Sequence, residues 1–381
     1  MYARILSYPK DKSFFLFGPR STGKSTWVQE EFPSGLIIDL LKASTFTRLT
    51  AQPDRLEKMI PERFPDWVII DEIQKVPPLL DEIHRLIEKR GLKFILTGSS
   101  ARKLRRGGVN LLGGRALTLG MYPLTAAELK RDFDLRRALR HGLMPLAYSS
   151  EEPRDFLESY VQVYLQGEIV QESLIRNIGS FTRFLESASF SQGSVLNVST
   201  VARDCAVPRK TVEGYFDILN DLRIAYRIPI FQKRAKRKTL AHPKFYFFDA
   251  GLFKALRPLG PLEADEDTLG AALETLVLQE LTALSSYLRK RYQIYYWRSA
   301  KNLEVDFVLY GDKAFFAIEV TKANRLREED LAGLKGFLGD YPKATAFLLY
   351  GGTDRYIEDG IHFIPIHDFF SEAIRLFFSP T

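Results

Sequence analysis

A glycine-rich segment near the start of the sequence contains the residue types that bind phosphate. Its eight residues match the pattern GxxxxGK(S/T), and Thr26 follows them: Gly18, Pro19, Arg20, Ser21, Thr22, Gly23, Lys24 and Ser25. In this motif the glycines let backbone N–H groups turn toward phosphate oxygens, the lysine reaches the β- and γ-phosphates, and the hydroxyl ligates Mg²⁺. The apolar run Phe14 to Phe17 predicts the strand that must precede such a loop. We therefore predict that residues 18–26 bind ATP with Mg²⁺; the alternative is a glycine-rich turn without a ligand.

Two carboxylates follow a second apolar run, Trp67 to Ile70. Open α/β sheets bind their ligands at the carboxyl ends of the strands, which is where Asp71 and Glu72 would emerge. Asp71 would hold Mg²⁺ directly or through water, and Glu72 would polarise the attacking water as general base. The alternative is an ordinary strand end with solvated acids, but the phosphate loop upstream favours the catalytic interpretation.

A third apolar run, Phe94 to Leu96, ends in small hydroxylated residues. Ser99 is the candidate here, because a polar side chain between the two earlier motifs could hold the γ-phosphate or the attacking water. A serine after a buried strand is equally typical of a helix N-cap, so both interpretations stay open for Ser99 and Ser100.

The elements that must position these residues are short apolar strands alternating with amphipathic helices, a pattern that predicts a parallel sheet covered on both faces. Helices dominate afterwards, and a long helix followed by strands ends the chain. The predicted fold class is α/β: a P-loop parallel sheet, then a helical and winged-helix module and a mixed α/β nuclease-like domain. The predicted boundaries are 1–125 for the nucleotide-binding core, 126–190 for a helical connector, 191–257 for the winged helix and 268–381 for the last domain.

The order of the motifs resembles that of the AAA+-type P-loop ATPases. More narrowly, the segments Asp71 to Pro77, Leu96 to Ser100 and Gly113 to Arg115 resemble a prokaryotic ATPase family in which a C-terminal domain of unknown function follows the ATPase core. The resemblance covers most of the chain and implies ATP hydrolysis. In AAA+ proteins an arginine before the fifth strand often completes a neighbouring subunit's site. Arg115 is therefore the arginine-finger candidate of a homo-oligomer, with a structural or surface arginine as the alternative.

The middle of the chain has the pattern of a winged helix. Val198 to Ala202 and Pro208 to Leu219 predict a helix-turn-helix, in which Arg209 and Lys210 would face outward from the second helix. A β-hairpin would follow, and its tip carries the five charged residues Lys233, Arg234, Lys236, Arg237 and Lys238. One element would enter a groove of double-stranded DNA while the other contacts phosphates. The alternative is a module that docks protein.

Three acids in the last part of the chain resemble the metal-binding set of the PD-(D/E)xK nuclease fold. Glu274 lies on a predicted helix, and Asp306 and Glu319 lie on two paired strands. That pattern requires a lysine two residues after the second strand's acid, on the same face of the strand. The residue there is Thr321, and Lys322 should face away, so an active nuclease, a degenerate nucleic-acid-binding fold and a coincidence of core acids all stay open.

Composition limits the class of protein further. The chain has 381 residues, which at ~150 residues per domain predicts two or three domains. The 54 basic and 47 acidic residues give 54 − 47 = +7, and the single cysteine excludes an intrachain disulfide. No apolar run approaches the ~18 residues of a membrane-spanning helix. We expect a cytoplasmic protein that does not contact a membrane.

Together these patterns predict an ATP-hydrolysing enzyme that couples its nucleotide state to DNA or protein binding by the C-terminal modules. Two alternatives belong to other classes. One is a DNA-binding protein for which ATP is only a switch ligand, and the other is a metal-dependent nuclease gated by ATP.

Overall fold

A computed structural model describes residues 2–99, 102, 104, 112–165, 177–232, 242–258 and 265–379. Ser100 and the five basic residues predicted at the hairpin tip (Lys233, Arg234, Lys236, Arg237 and Lys238) lie outside the described residues. The chain divides into two compact units. One, here called the P-loop unit, contains Leu6–Tyr122 and Asp221–Arg223, and the other, the C-terminal unit, contains Met1–Ile5, Pro123–Asn220 and Ile224–Thr381.

The P-loop unit is built on a five-stranded parallel sheet. Its strands are β1 (Ser13–Phe17), β2 (Leu36–Asp39), β3 (Trp67–Asp71), β4 (Lys93–Gly98) and β5 (Ala116–Gly120), in the order β2-β3-β4-β1-β5. The central strands β1, β3 and β4 are almost entirely buried. Strands buried on both faces read as continuous apolar runs, which is why the sequence pattern located them and predicted the parallel sheet correctly.

Helices connect these strands and cover the sheet. They are α1 (Lys24–Glu31), α2 (Ala43–Ala51), α3 (Arg55–Lys58) and α4 (Leu79–Arg90), with a 3₁₀ turn at Ile73–Lys75. Helix α4 shows why the sequence folds this way: its buried residues Leu79, Leu80, Ile83 and Leu86 recur at helical spacing. Gly91 ends it in the left-handed conformation, with φ +63°.

The C-terminal unit begins with helices. They are α5 (Ala126–Leu129), α6 (Leu135–His141), α7 (Pro145–Ser149), α8 (Pro153–Ser159) and α9 (Ile178–Ser189), with a 3₁₀ turn at Lys130–Asp132 and a π-helical turn at Tyr160–Leu165. Side chains cap several of them: Thr125 and Glu128 form a capping box on α5, and Asp134 and Asn177 cap α6 and α9. Such caps satisfy the backbone N–H groups that a helix start leaves without intrahelical partners.

Two further helices and a small antiparallel sheet follow in the same unit. The helices are α10 (Val198–Asp204) and α11 (Arg209–Asp221), and the strands β6 (Ser194–Val195), β7 (Ala225–Ile228) and β8 (Lys244–Phe247) form a sheet in the order β6-β8-β7. Apolar side chains of these two helices and of the turn between them are buried, namely Val201, Val207, Val212, Tyr215 and Leu219.

A six-stranded mixed sheet completes the C-terminal unit. Its helices are α12 (Ala250–Leu256), α13 (Asp265–Tyr287), α14 (Glu328–Asp340) and α15 (Ile366–Ala373), with a π-helical turn at Ile374–Phe378. The strands β9 (Gln293–Arg298), β10 (Glu304–Gly311), β11 (Ala314–Val320), β12 (Thr345–Tyr350), β13 (Tyr356–Glu358) and β14 (Ile361–Pro365) lie in the order β13-β14-β12-β11-β10-β9. Within the described ranges, no helix is both long and apolar enough to cross a lipid bilayer.

Candidate functional site

The predicted nucleotide-binding residues lie at one edge of the parallel sheet. Strand β4 pairs in parallel with both β1 and β3, so the carboxyl ends of the three strands are neighbours. The phosphate loop follows β1, Asp71 ends β3, and Ser99 follows β4. The strand order therefore brings together three motifs that are far apart along the chain.

The phosphate loop turns tightly before α1 begins at Lys24. Gly23 has φ +87°, a conformation that favours glycine, and a Cβ atom on Gly18 would lie 2.1 Å from the backbone oxygen of Met121. Lys24 is 6% exposed, and its ammonium group donates to the carbonyl oxygens of Gly18 at 2.8 Å and of Pro19 at 2.9 Å. The charged end of Lys24 therefore lies against the backbone of the loop.

The remaining loop residues support this turn. Thr22 is buried and its hydroxyl donates to the Pro19 carbonyl at 2.9 Å. Ser21 has φ +61°, which a residue with a side chain rarely adopts. Arg20 and Thr26 are partly exposed at the two ends of the loop.

The predicted metal ligands lie next to each other. The Ser25 hydroxyl donates to Asp71 Oδ2 at 3.0 Å. The Thr97 hydroxyl donates to the other oxygen of Asp71 and accepts the backbone N–H of Glu72 at 3.3 Å. One hydroxyl and one carboxylate are ligand types that Mg²⁺ uses beside substrate phosphates and water, so this pair fits the ion that the motif implies.

The predicted general base is held by an amide side chain. Glu72 has φ +61° and ψ 47°, an uncommon conformation for a residue with a side chain. Gln74 donates from Nε2 to the Glu72 carboxylate and also to the Ser99 hydroxyl, at 3.3 Å. A Cβ atom on Gly98 would lie 2.3 Å from Gln74 Oε1, so the glycine leaves room for the amide. Glu72, Gln74 and Ser99 therefore form one connected polar group at the end of β3 and β4.

Sequence reasoning missed the roles of Thr97 and Gln74. Both lay within the quoted motif segments, and both are polar residues at buried positions, with exposures of 0% and 6%. Buried polar side chains need hydrogen-bond partners. The available signal was a polar residue at the end of an apolar run, as Thr97 is, or two residues after the carboxylate pair, as Gln74 is.

Arg115 lies at the opposite end of the sheet from the phosphate loop. It directly precedes β5, whereas the loop follows β1, and the two strands run parallel. Its guanidinium pairs with Glu88, and its side chain is 40% exposed. The Arg115 guanidinium lowers the pKa of the Glu88 carboxyl below its ordinary value.

The candidate DNA-contacting residues that the structure describes are exposed. Arg209 and Lys210 begin α11, as the helix-turn-helix prediction required. The Arg209 guanidinium pairs with Glu213 one turn later, at 3.0 Å. Both cations are therefore at the protein surface in the described part of the chain.

The three acids of the nuclease-like pattern converge in the C-terminal unit. Glu274 lies on α13, Asp306 on β10 and Glu319 on β11, and the backbone N–H of Asp306 donates to Glu319 at 3.3 Å. Lys322 is exposed, as predicted, and the amine among these acids belongs to Lys244 at the start of β8. Among the described residues, no group of three or more His, Cys, Asp or Glu side chains is arranged to hold a metal ion.

Burial and charge shift the pKa values in this cluster in opposite directions. Burial, and then the neighbouring Asp306, raise the pKa of both Glu274 and Glu319 well above the ordinary value. Burial alone would lower the pKa of Lys244, but Asp306 and its neighbours outweigh that effect and raise it. These shifts favour the charged form of Lys244 and the protonated forms of Glu274 and Glu319.

Comparisons with known sequence families divide the chain into three parts. Residues 10–130 match the family described as "AAA domain". Residues 132–263 match "Domain of unknown function (DUF8612)", and residues 269–369 match "Domain of unknown function (DUF4143)". The N-terminal part of the chain therefore matches an AAA-type P-loop domain, which suggests an ATP-binding P-loop nucleoside triphosphatase, and matches to two domains of unknown function follow it.

Two distant relatives span much of the chain. "Uncharacterized protein MJ1544" from Methanocaldococcus jannaschii is 23% identical over 290 residues, which are 68% of this chain and 63% of that protein. An "Uncharacterized protein" from Haemophilus influenzae is 22% identical over 284 residues, 66% of this chain and 71% of that protein.

One solved structure shows a weaker likeness. It is that of the Aeropyrum pernix ORC1 protein in complex with DNA, which is 14% identical, with a TM-score of 0.25, over 65% of this chain and 87% of that chain. A similarity of this size says nothing about the DNA contacts of this chain.

Proposed function

We propose that this chain binds ATP with Mg²⁺ and hydrolyses it slowly. The observation that supports the proposal most directly is the convergence of Lys24, Ser25, Asp71 and Glu72 at the carboxyl edge of one parallel sheet. Phosphoryl transfer needs mainly positioned charge, and this edge provides a cation, a pair of metal ligands and a base.

Each residue has a separate role in the proposed reaction. Lys24 exchanges its carbonyl partners for the β- and γ-phosphates, while Ser25 and Asp71 hold Mg²⁺. Glu72 accepts a proton from the attacking water, because it is the carboxylate nearest the end of β3 that does not contact Ser25. Gln74 fixes the orientation of Glu72 and links it to Ser99, which would contact the γ-phosphate or the water.

Two substitutions separate binding from hydrolysis. Lys24→Ala should abolish ATP binding, and Glu72→Gln should retain binding while turnover falls ~10²-fold or more, since an amide cannot accept the proton. Lys89→Ala, which removes an exposed charge on α4, is the control and should change neither. Calorimetric ATP binding and phosphate release measure the two steps. A Glu72→Gln variant that turns over at the parent rate would refute the base assignment, and a parent chain that binds ATP without turnover would favour a switch ligand.

We further propose that nucleotide state controls double-stranded DNA binding by the helix pair α10–α11 and the basic segment after it. Arg209 and Lys210 are exposed on the helix that a helix-turn-helix would place in the major groove, and five more cations lie at residues 233–238. Docking of a protein by the same surface is the competing proposal.

Salt dependence tests the DNA proposal. Each phosphate contact should contribute about −0.9 to the log–log slope of affinity against salt, so four contacts give about −3.6. Replacing Lys236, Arg237 and Lys238 with Ala should flatten the slope by about two to three, uniformly across DNA sequences. Replacing the exposed Lys301, Lys313 and Lys343 instead removes equal charge and should leave the slope unchanged. An unchanged slope in the variant that lacks Lys236, Arg237 and Lys238 would reject DNA contact by the basic segment. Docking of a protein would then be the remaining proposal.

A further inference from the structure

A buried lysine lies among the carboxylates of the nuclease-like pattern. The Lys244 ammonium is 2.7 Å from Glu304 Oε1, 2.9 Å from Asp306 Oδ1 and 3.8 Å from Glu274 Oε2, and its side chain is 3% exposed. We call these residues, together with Glu319, the Lys244 cluster. A buried ammonium without partners would cost several kcal/mol, so the acids are what permits a lysine here.

Both oxygens of Asp306 and one oxygen each of Glu274 and Glu319 already accept hydrogen bonds from groups of the chain. Asp306 accepts Lys244 on Oδ1 and the backbone N–H of Val320 on Oδ2, at 3.0 Å. Glu274 accepts the Tyr246 hydroxyl at 2.7 Å, and Glu319 accepts the backbone N–H of Asp306. A divalent cation would have to displace the ammonium from Asp306 and share this carboxylate with the backbone N–H of Val320.

The lysine also connects two sheets. Lys244 begins β8 of the three-stranded sheet, whereas Glu304 and Asp306 lie on β10 of the six-stranded sheet. On the other side of the β7–β8 connection, Phe231 packs into the six-stranded sheet's core, and its backbone N–H donates to the Tyr296 carbonyl at 2.6 Å. Both ends of the connection are thus attached to the same sheet.

We propose that Lys244 is the resident cation of this cluster and occupies the place among the acids that a divalent metal would need. While Lys244 is in place, the six-stranded sheet binds no metal at these acids and cleaves no phosphodiester. The ion pairs of Lys244 join it to the three-stranded sheet instead. The cluster is then a fixed joint between the two sheets rather than a catalytic centre.

Metal binding to the nucleotide-free full chain tests this proposal. We expect the parent chain and the Glu319→Gln and Asp306→Asn variants to bind the same number of Mn²⁺ ions by electron paramagnetic resonance titration. Lys244→Gln should bind one more, and the added ion should disappear in the double variant Lys244→Gln with Asp306→Asn. Any Mn²⁺ at the phosphate loop is common to all these proteins and cancels in the comparison.

Stability provides a second readout. Lys244→Gln should lower the unfolding midpoint by about 10 °C, because it leaves buried carboxylates without their cation, and Mn²⁺ should restore part of the loss. Loss of a bound Mn²⁺ from the parent chain on Asp306→Asn or Glu319→Gln would overturn the proposal. A folded Lys244→Gln variant that gains no metal would also overturn it, and if that variant fails to fold, the comparison of the parent chain with Glu319→Gln still decides.

Discussion

Single residues in the interior decide how the proposed ATPase site is held. Thr97 and Gln74 are neither metal ligands nor bases, yet they contact Asp71, Glu72 and Ser99. An amide or hydroxyl bonded to a carboxylate restricts its rotation, and catalytic groups need such support to remain in productive geometry. The mobility of Glu72 is therefore determined by a neighbour two residues along the chain.

Another buried acid makes stability depend on pH. Glu280 on α13 accepts the backbone N–H groups of Ala126 at 2.9 Å and Ala127 at 3.5 Å, at the start of α5. Burial raises its pKa from 4.5 to about 8 in spite of these bonds. The folded chain therefore holds a proton that the unfolded chain releases, and Glu280 should lower the free energy of unfolding as pH rises from about 4.5 to about 8.

We predict that Glu280→Gln removes this dependence. The free energy of unfolding of the parent should fall between pH 6 and pH 8 by up to about 1.4 kcal/mol per pH unit more than that of the variant. Chemical denaturation at several pH values measures the difference, and Glu151→Gln, at an exposed site, is the control. Other buried acids titrate in both proteins and cancel. Parallel pH profiles of the parent and Glu280→Gln would contradict the assignment.

At the scale of elements, one glycine permits the cap of a buried helix. Asp249 accepts the N–H groups of Gly251 at 2.9 Å and Leu252 at 3.1 Å, which caps α12, and also that of Leu143 at 2.7 Å. Gly142 precedes Leu143 with φ +70°, and a Cβ atom there would lie 1.9 Å from Asp249 Oδ1. The joint between α6 and α12 therefore requires a residue without a side chain.

We predict that Gly142→Ala destabilises the fold by about 3 kcal/mol, the sum of a strained left-handed alanine and a displaced cap. Gly339→Ala, in α14, meets no atom within 4 Å and should be neutral or stabilising by up to about 1 kcal/mol. Urea unfolding of both variants measures the contrast. Equal stability of the two variants would show that the Asp249 cap tolerates the methyl group.

Elements with a local pattern were predictable, and contacts that no motif or spacing pattern marks were not. The apolar runs located β1, β3 and β4, and the spacing of acids on a helix and two strands predicted that Glu274, Asp306 and Glu319 would converge. Lys244 was missed, because its partners are 30 to 62 residues later in the chain and no spacing rule connects them. Glu72 was proposed as the general base from its motif, whereas its contacts with Gln74 and the room that Gly98 leaves for this amide are tertiary.

At the scale of the whole chain, the predicted winged helix and nuclease-like domain belong to one compact unit. The Lys244 ion pairs and the packing of Phe231 are among the contacts that join their sheets. The predicted boundary at residue 190 lies inside the family match that spans 132–263, and the boundaries stay predictions.

Assembly of several chains is the remaining prediction at this scale. Arg115 lies at the opposite edge of the sheet from its own phosphate loop, which suits action on a neighbouring subunit. Arg115→Ala should lower ATP turnover ~10³-fold without weakening ATP binding, and parent activity per subunit should rise with protein concentration. Glu88→Ala removes only the partner of Arg115 and should retain turnover. Constant turnover per subunit on dilution would reject the trans role.

The position of β1 in its sheet has a consequence for synthesis. Phe14 pairs with Ile95 and Ser13 with Ala116, separations of 81 and 103 residues, although β1 is made first. At ~5–20 residues per second the ribosome needs about 5–20 s to deliver both partner strands. During that time the run Phe14 to Phe17 has no sheet to enter, and such unpaired apolar strands bind chaperones or aggregate. Strand β1, whose residues are all buried in the folded unit, is thus the strand that stays longest without its partners while the chain is being translated.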